Sequence, residues 1–414
     1  MKLKPAPAPS PHYVPELNGL RALLVFIVSW YHIWQQSWLT PYIGSYSLDY
    51  LVRAGYTPVD GTILLSGFLL FLPHARSMVL GEKIPDTRSF YRRRVMRIVP
   101  SYYFVTVLLL FVVAIPQQKY WTAGAMVKDL LMHLTFTQTF DFSTYIATPI
   151  GVASWTIAIE MQAYLLFPLL AWLARKNPLA TFGFMIASAL GFRSWCLWTM
   201  TDYNMVVNQL ANFLDVYAIG MASALLYVKL TTLWPKRGDL RLLLNAAATI
   251  VLLLALYGLV VLLQAQAGTP GSALQAGQMM RRPLFALLLA AVAVALPFAL
   301  RPVRFLFGNR LMGFLAMVSM NYYLFHQNIA VFLKNRLQLP AAANYPTPNM
   351  APGGPEQPWA SEYMALCFLG SLLVAALVTF LVEKPCAWLL GKLFRKVNAA
   401  WDGMVTRMRT RNAQ

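Results

Sequence analysis

Charge is scarce in this chain, and acidic charge is scarcest. Only 12% of its 414 residues are Asp, Glu, Lys or Arg, with 15 acids against 34 bases. A water-soluble protein of this length carries roughly twice that charged share, so a soluble globular domain is excluded. Cysteine is nearly absent. Cys196, Cys367 and Cys386 are far apart, with no C-x-x-C pair and no histidines at ligand spacing. A disulfide framework and a zinc site are both excluded on that pattern. Also missing are a glycine-rich phosphate loop and a nucleophile elbow, so covalent serine chemistry is not indicated. No internal repeat and no appended soluble domain is visible.

What the chain has instead is apolar length. Hydrophobic residues make up 58% of it, in recurrent stretches of about 18 to 23 residues, the length needed to cross a bilayer. The fold class expected is all-α, a polytopic integral membrane protein with ten transmembrane helices. Their spans are read near residues 18–37, 57–74, 98–116, 150–173, 179–198, 210–228, 242–263, 283–300, 312–333 and 362–383. The first is not a signal peptide, because it carries Arg21 and His32 and ends in bulky Trp34 and Trp38 with no small-residue cleavage site.

Placing the N-terminus inside puts 25 of the 34 basic residues on inner segments and 8 on outer ones, with Arg21 left over. That excess orients both termini to the cytoplasm. The net charge of +19 is therefore topological, and nucleic acid is not a partner. The organisation expected is a disordered Pro-Ala-rich lead over 1–16, a transmembrane domain over 17–388 and a basic cytoplasmic tail over 389–414. Two outer loops are long. Residues 117–149 contain a short helical pattern around Trp121–Leu134, which leaves a re-entrant helix open, and 337–361 is a proline-rich spacer.

Chemistry must come from the few polar residues inside apolar spans, where such groups are expensive and usually face a working cavity. Arg21 and His32 are eleven residues apart on the first helix. Eleven steps of 100° return to within about 20° of the same direction, over a rise of roughly 16 Å. His32 is a candidate general base, against the plainer role of a neutral histidine bonded between helices. In the third-helix approach, Arg93, Arg94 and Arg97 fall at i, i+1 and i+4, so Arg94 and Arg97 share a side. Arginine forks match phosphate oxygens, though basic clusters beside spans also simply set topology and touch membrane lipid.

Glu160 lies about ten residues into the fourth span and can pair with an arginine, orient His32 or move a proton itself. In the ninth span Ser319, Tyr322, Tyr323 and His326 share a face, as a cavity lining or as interhelical hydrogen bonds. Asp60 and Asp215 are further buried acids, Asp60 also suiting a helix cap. Glu383-Lys384-Pro385 reads as a cytoplasmic boundary where proline ends the last helix.

Taken in order, these segments resemble the membrane-bound acyltransferase 3 family from Leu17 to Pro385. The matching elements are Arg21 with His32; Asp60 with Ser66, Gly67, Phe68 and Leu69; Arg94 with Arg97; Trp155 with Glu160 and Tyr164; Ser319 with Tyr323, Leu324 and His326; and Glu383 to Pro385. Departures at Gly61, Thr62, Ala158, Met161 and Ala163 bear on the shape of the acceptor pocket.

The resemblance implies an O-acyltransferase of a bacterial inner membrane, using cytosolic acyl-CoA (acetyl-CoA foremost) and no metal, with a glycan or similar hydroxyl acceptor at the outer face. It implies His32 and Glu160 as catalytic residues. Arg21, Arg93, Arg94 and Arg97 would bind the donor, and Asp60, Trp155, Ser319, Tyr323 and His326 the acceptor. A hydrolase-like outer domain fused to some family members is not present, so partner proteins of envelope glycan assembly would complete any further transfer. The competing class is a proton-coupled transporter or flippase of a sugar-linked substrate, which intramembrane Arg, His, Glu and Asp suit equally. Such a carrier has no requirement for CoA. A noncatalytic scaffold ranks third.

Overall fold

The computed structural model describes residues 13–339 and 359–395. Most of the lead, the proline-rich spacer and most of the basic tail lie outside the described residues. Among those described, ten helices are long and apolar enough to cross a membrane. The chain is a helical, multi-pass membrane protein, as its apolar runs dictate: in lipid every backbone polar group must be satisfied within the segment.

The first helix, α1 (Pro15–Ser37), opens with proline at its first position, where the missing N–H costs nothing. A two-residue hairpin, β1 (Tyr42–Ile43) with β2 (Tyr46–Ser47), and the short α2 (Asp49–Arg53) lead to α3 (Val59–Leu80). The next helix, α4 (Thr87–Leu109), starts eleven residues before the apolar span read from sequence. Asp86 caps it, accepting from the Ser89 backbone N–H at 2.7 Å. It continues into a wide π turn over Leu110–Ala114.

Segment 117–149 folds into α5 (Ala123–Leu134) and the one-turn α6 (Phe142–Tyr145). At 12 residues, α5 is too short to cross the bilayer. The spans α7 (Trp155–Lys176), α8 (Pro178–Thr199), α9 (Leu214–Leu233), α10 (Asp239–Ala267) and α11 (Leu274–Ala295) follow. The eight-residue α12 (Arg301–Gly308) then precedes α13 (Arg310–Arg336), and Arg304 on it pairs with Glu16 of α1 at 2.9 Å.

The last span, α14 (Ala360–Val378), passes through a second π turn at Thr379–Glu383 and continues as helix over 384–395. This corrects the expectation that Pro385 ends it. The wide turn immediately upstream gives the proline ring room against the preceding carbonyls.

Helix α1 packs against α3, α12, α13 and α14, and α3 packs against α9. The α3–α9 seam is glycine-made. A Cβ on Gly220 would stand 2.2 Å from the Leu64 carbonyl oxygen, and one on Gly67 2.6 Å from that of Tyr217. Backbone-to-backbone approach of this kind is how membrane helices gain packing without a hydrophobic driving force between them.

Candidate active site

A cavity of about 190 Å³ opens between α1, α3, α4, α7 and α13. Arg21 enters it from α1, with Val25 and Val28 one and two turns further along the same stripe. Arg94 and Arg97 enter from α4, Glu160 and Tyr164 from α7, and Ser319 and Tyr323 from α13. Arg21 donates to the Ala316 carbonyl at 3.1 Å. Its Nε and that of Arg94 are buried with no hydrogen-bond partner among the described residues. Arg94 lies over the ring of Tyr164, 5.6 Å from its centroid.

The carboxylate of Glu160 accepts from the Tyr164 hydroxyl at 2.9 Å, and the Ser66 hydroxyl lies 3.4 Å from that phenol oxygen. No arginine in the cavity forms an ion pair within 4 Å among the described residues. The site holds excess positive charge and unspent donors, the complement of a phosphorylated ligand.

Beyond Val28 and Tyr323 the polar stripe continues into a histidine pair. His32 Nδ1 is 2.8 Å from His326 Nε2, and His326 Nδ1 is 2.6 Å from the Tyr323 carbonyl oxygen. A carbonyl only accepts, so neutral His326 carries its proton on Nδ1 and offers a lone pair at Nε2. His32 must then donate from Nδ1, which leaves its own Nε2 as a base. The second ring orients the first, as the carboxylate does in a catalytic triad.

The acyltransferase-domain family profile matches residues 14–382, nearly all of the chain. The chain belongs to the acyltransferase 3 family.

Over 165 residues it is 30% identical to the O-acetyltransferase OatA of Staphylococcus aureus, covering 39% of this chain and 25% of that protein. Over 166 residues it is 30% identical to the acyltransferase MdmB of Streptomyces mycarofaciens, covering 40% and 41%. The chain thus spans about a quarter of the length of the first curated relatives it matches. No solved structure matches it.

The acyltransferase 3 motifs fall into three places. Arg21, Arg94, Arg97, Glu160, Tyr164, Ser319 and Tyr323 meet in the cavity. His32 and His326 pair just beyond its lining. Ser66 and Leu69 of the second motif also line the cavity, whereas Arg93, Trp155 and Asp60 stand outside its lining. Arg93 is exposed and does not line the cavity, because one residue along a helix turns it 100° from Arg94. Trp155 stacks on Phe213, centroids 6.2 Å apart, at the start of α7 and away from the cavity. Asp60 is 1% exposed and accepts from Arg282 Nε at 3.0 Å. Glu160 accepts from Tyr164, and among the described residues no hydrogen bond joins it to His32, whose ring bonds His326. The family's closing glutamate, Glu383, is drawn inward, accepting from Asn321 at 2.7 Å with Ser101 at 3.4 Å.

Sequence reading missed the partners of the buried acids. Arg193 is 3% exposed, donates to Asp215 Oδ2 at 2.8 Å and holds the Asn212 side chain at 2.7 Å. Arg282 reaches the Val207 carbonyl at 2.8 Å and lies 4.1 Å from the Phe213 centroid. The available signal was a charge balance within apolar spans: Asp60 and Asp215 matched by Arg193 and Arg282.

Proposed function

We propose that this chain is a membrane O-acyltransferase that moves an acyl group, acetyl foremost, from cytosolic acyl-CoA to a hydroxyl of a glycan presented at the other face. The observation that carries this reading is the cavity with three arginines and a single carboxylate, two of whose guanidinium nitrogens are buried without partners. Buried donors left unpaired are costly. Phosphate oxygens would relieve that cost through charge-assisted bonds. Membership of the acyltransferase 3 family and the O-acetyltransferase name of a relative support acyl transfer. The excess of basic residues on the segments that flank the arginine end supports cytoplasmic termini in a bacterial inner membrane.

In this reading Arg21, Arg94 and Arg97 hold the donor's phosphates, and Glu160 offsets part of their charge while fixing Tyr164. The pantetheine arm runs along α1 past Val28 and Tyr323 toward His32. His32 Nε2 takes the acceptor's proton as the hydroxyl oxygen attacks the thioester carbon. The C–S bond then breaks, and the departing thiolate receives that proton. His326 stabilises the imidazolium formed on His32 by accepting from its Nδ1. Ser319 shapes the passage between cavity and histidines.

The test is acetyl-CoA binding to the purified protein in detergent, wild type beside Arg94→Gln/Arg97→Gln. Saturable binding weakened about tenfold or more in the variant is the expected result. Folded wild type that binds neither acetyl-CoA, CoA nor longer acyl-CoAs would overturn the reading in favour of a carrier.

A further inference from the structure

A second, larger cavity of about 530 Å³ lies further along α13 from the first, toward the helix C-terminus. The two cavities follow the same stripe: Ser319 and Tyr323 line the first, Gln327 and Val331 the second. Tyr323 and Gln327 are separated by about 6 Å of helix rise, and His326 lies between them in sequence. The vestibule is therefore at the far side of the histidine pair from the arginine cavity.

Its charge is unusual for that side of the molecule. Eight basic residues fall on the outer segments, and six are engaged by the protein. Arg53, Lys128, Arg193 and Arg282 each pair with a carboxylate. Arg281 donates to the Gln266 side chain at 2.7 Å, and Lys334 to the Gln36 carbonyl at 2.7 Å. The two with no side-chain partner among the described residues are Lys119 and Arg336, and both line this one vestibule. The rest of its polar wall is four amides, Gln117, Gln327, Asn328 and Asn335, with the Thr148 hydroxyl. An amide offers donors and an acceptor together, as a hydroxyl-rich ligand requires. A bare phosphate or carboxylate calls on donors alone.

The walls are also built rather than incidental. At the end of α4 the chain folds back on itself. The Gln117 N–H donates to Val113 O at 3.1 Å and the Lys119 N–H to Ala114 O at 2.9 Å. The next residue, Tyr120, donates its hydroxyl to Asp129 Oδ2 at 2.7 Å. Thr148, which also lines the vestibule, donates to the same oxygen at 2.8 Å. Asp129 is 2% exposed, so a buried carboxylate on α5 ties the segment after Lys119 to the one that carries Thr148.

We propose that this vestibule is the acceptor site, and that its ligand is an anionic, polyhydroxylated saccharide. Its carboxylate or phosphate engages Lys119 and Arg336, its hydroxyls engage the amide wall, and Phe332 supplies an apolar face. This rests on the acyltransferase reading above for the word acceptor, but the binding itself does not depend on catalysis.

The experiment uses the full chain in nanodiscs of zwitterionic lipid and measures binding of matched probes: a neutral glucan hexasaccharide, a glucuronate hexasaccharide and glucose 1-phosphate against glucose. Acetyl-CoA binding is measured on the same sample, so failure of the donor reading is seen separately. Tighter binding of an anionic probe than of its neutral match, by about tenfold, is expected. Whichever anionic arm shows it identifies carboxylate or phosphate. Lys119→Gln/Arg336→Gln should abolish the preference, and Lys119→Arg/Arg336→Lys should restore it, with acetyl-CoA affinity unchanged in both. Equal binding of charged and neutral probes would overturn the proposal. So would a preference that survives the Gln pair, or no saccharide binding by protein that binds acetyl-CoA.

Discussion

At the scale of single residues, the histidine pair makes the sharpest demand. In the proposed mechanism His32 serves as a base only while His326 keeps its proton on Nδ1 against the Tyr323 carbonyl. His32→Ala should abolish acyl transfer in protein that still binds acetyl-CoA. His326→Ala should lower kcat by about tenfold to a hundredfold and displace the pH–rate profile, with the donor's Kd unchanged. A His326→Ala enzyme with normal kcat would reduce that ring to packing. Arg21 and His32 were legible as a pair from their eleven-residue spacing. Their partners were not, because Ala316, Tyr323 and His326 lie almost 300 positions away in the chain. Helix periodicity says which residues share a face, and nothing about which helix that face meets.

Among the elements, the α3–α9 seam and the α5–α6 segment carry distinct tests. Gly220→Val places a side chain where only 2.2 Å separates Cβ from the Leu64 carbonyl oxygen, so the helices must part. Loss of folded protein in detergent, read as a fall in Tm, is expected, whereas Gly183→Val on the open surface of α8 should leave Tm unchanged.

In the α5–α6 segment, Lys128 donates to Asp141 at 2.7 Å. That bond, with those from Ser143, holds the carboxyl down to about 2. A folded value below the ordinary one near 4 means that the stabilisation is present above pH 4. It is lost as the pH falls toward 2. Protease nicking of the 117–149 segment should therefore rise below pH 4 in wild type, whereas Asp141→Asn should be nicked faster at neutral pH with no such rise. The existence of a short helix here was legible from residues 121–134. Its clamp on Asp129 was not, since three of its members, Tyr120, His133 and Thr148, carry no pattern of their own.

For the whole molecule, the buried arginine–carboxylate pairs tie α3, α8, α9 and α11 into one body. Asp215→Ala leaves Arg193, 3% exposed, without its counter-charge. The expected cost is about 3–5 kcal/mol, seen as a large drop in Tm, while Arg193→Met/Asp215→Leu should recover much of it. Orientation has its own check. Single cysteines at Lys83 and Gln118, in a chain with Cys386 replaced by serine, should be labelled from opposite faces of sealed vesicles, position 83 from the cytoplasmic face. Labelling of position 118 from the cytoplasmic face and position 83 from the other would reverse the topology assigned from the basic residues.

By itself the sequence determined that this is a ten-span helical membrane protein. Apolar length and scarce charge leave no other solvent for it, and backbone hydrogen bonding in lipid leaves no structure but helices for such runs. It also determined which side chains share a stripe on each helix, because 3.6 residues per turn is a local rule. Only the tertiary structure decided that Arg21, Arg94 and Arg97 converge while Arg93 does not. Only it decided that Asp60 belongs to Arg282, that His32 belongs to His326, and that Lys119 and Arg336 share one vestibule. Each of those outcomes depends on how far one helix is rotated against another. That rotation is set by close approaches such as Gly220 on Leu64, which are summed over the whole bundle and written in no single segment.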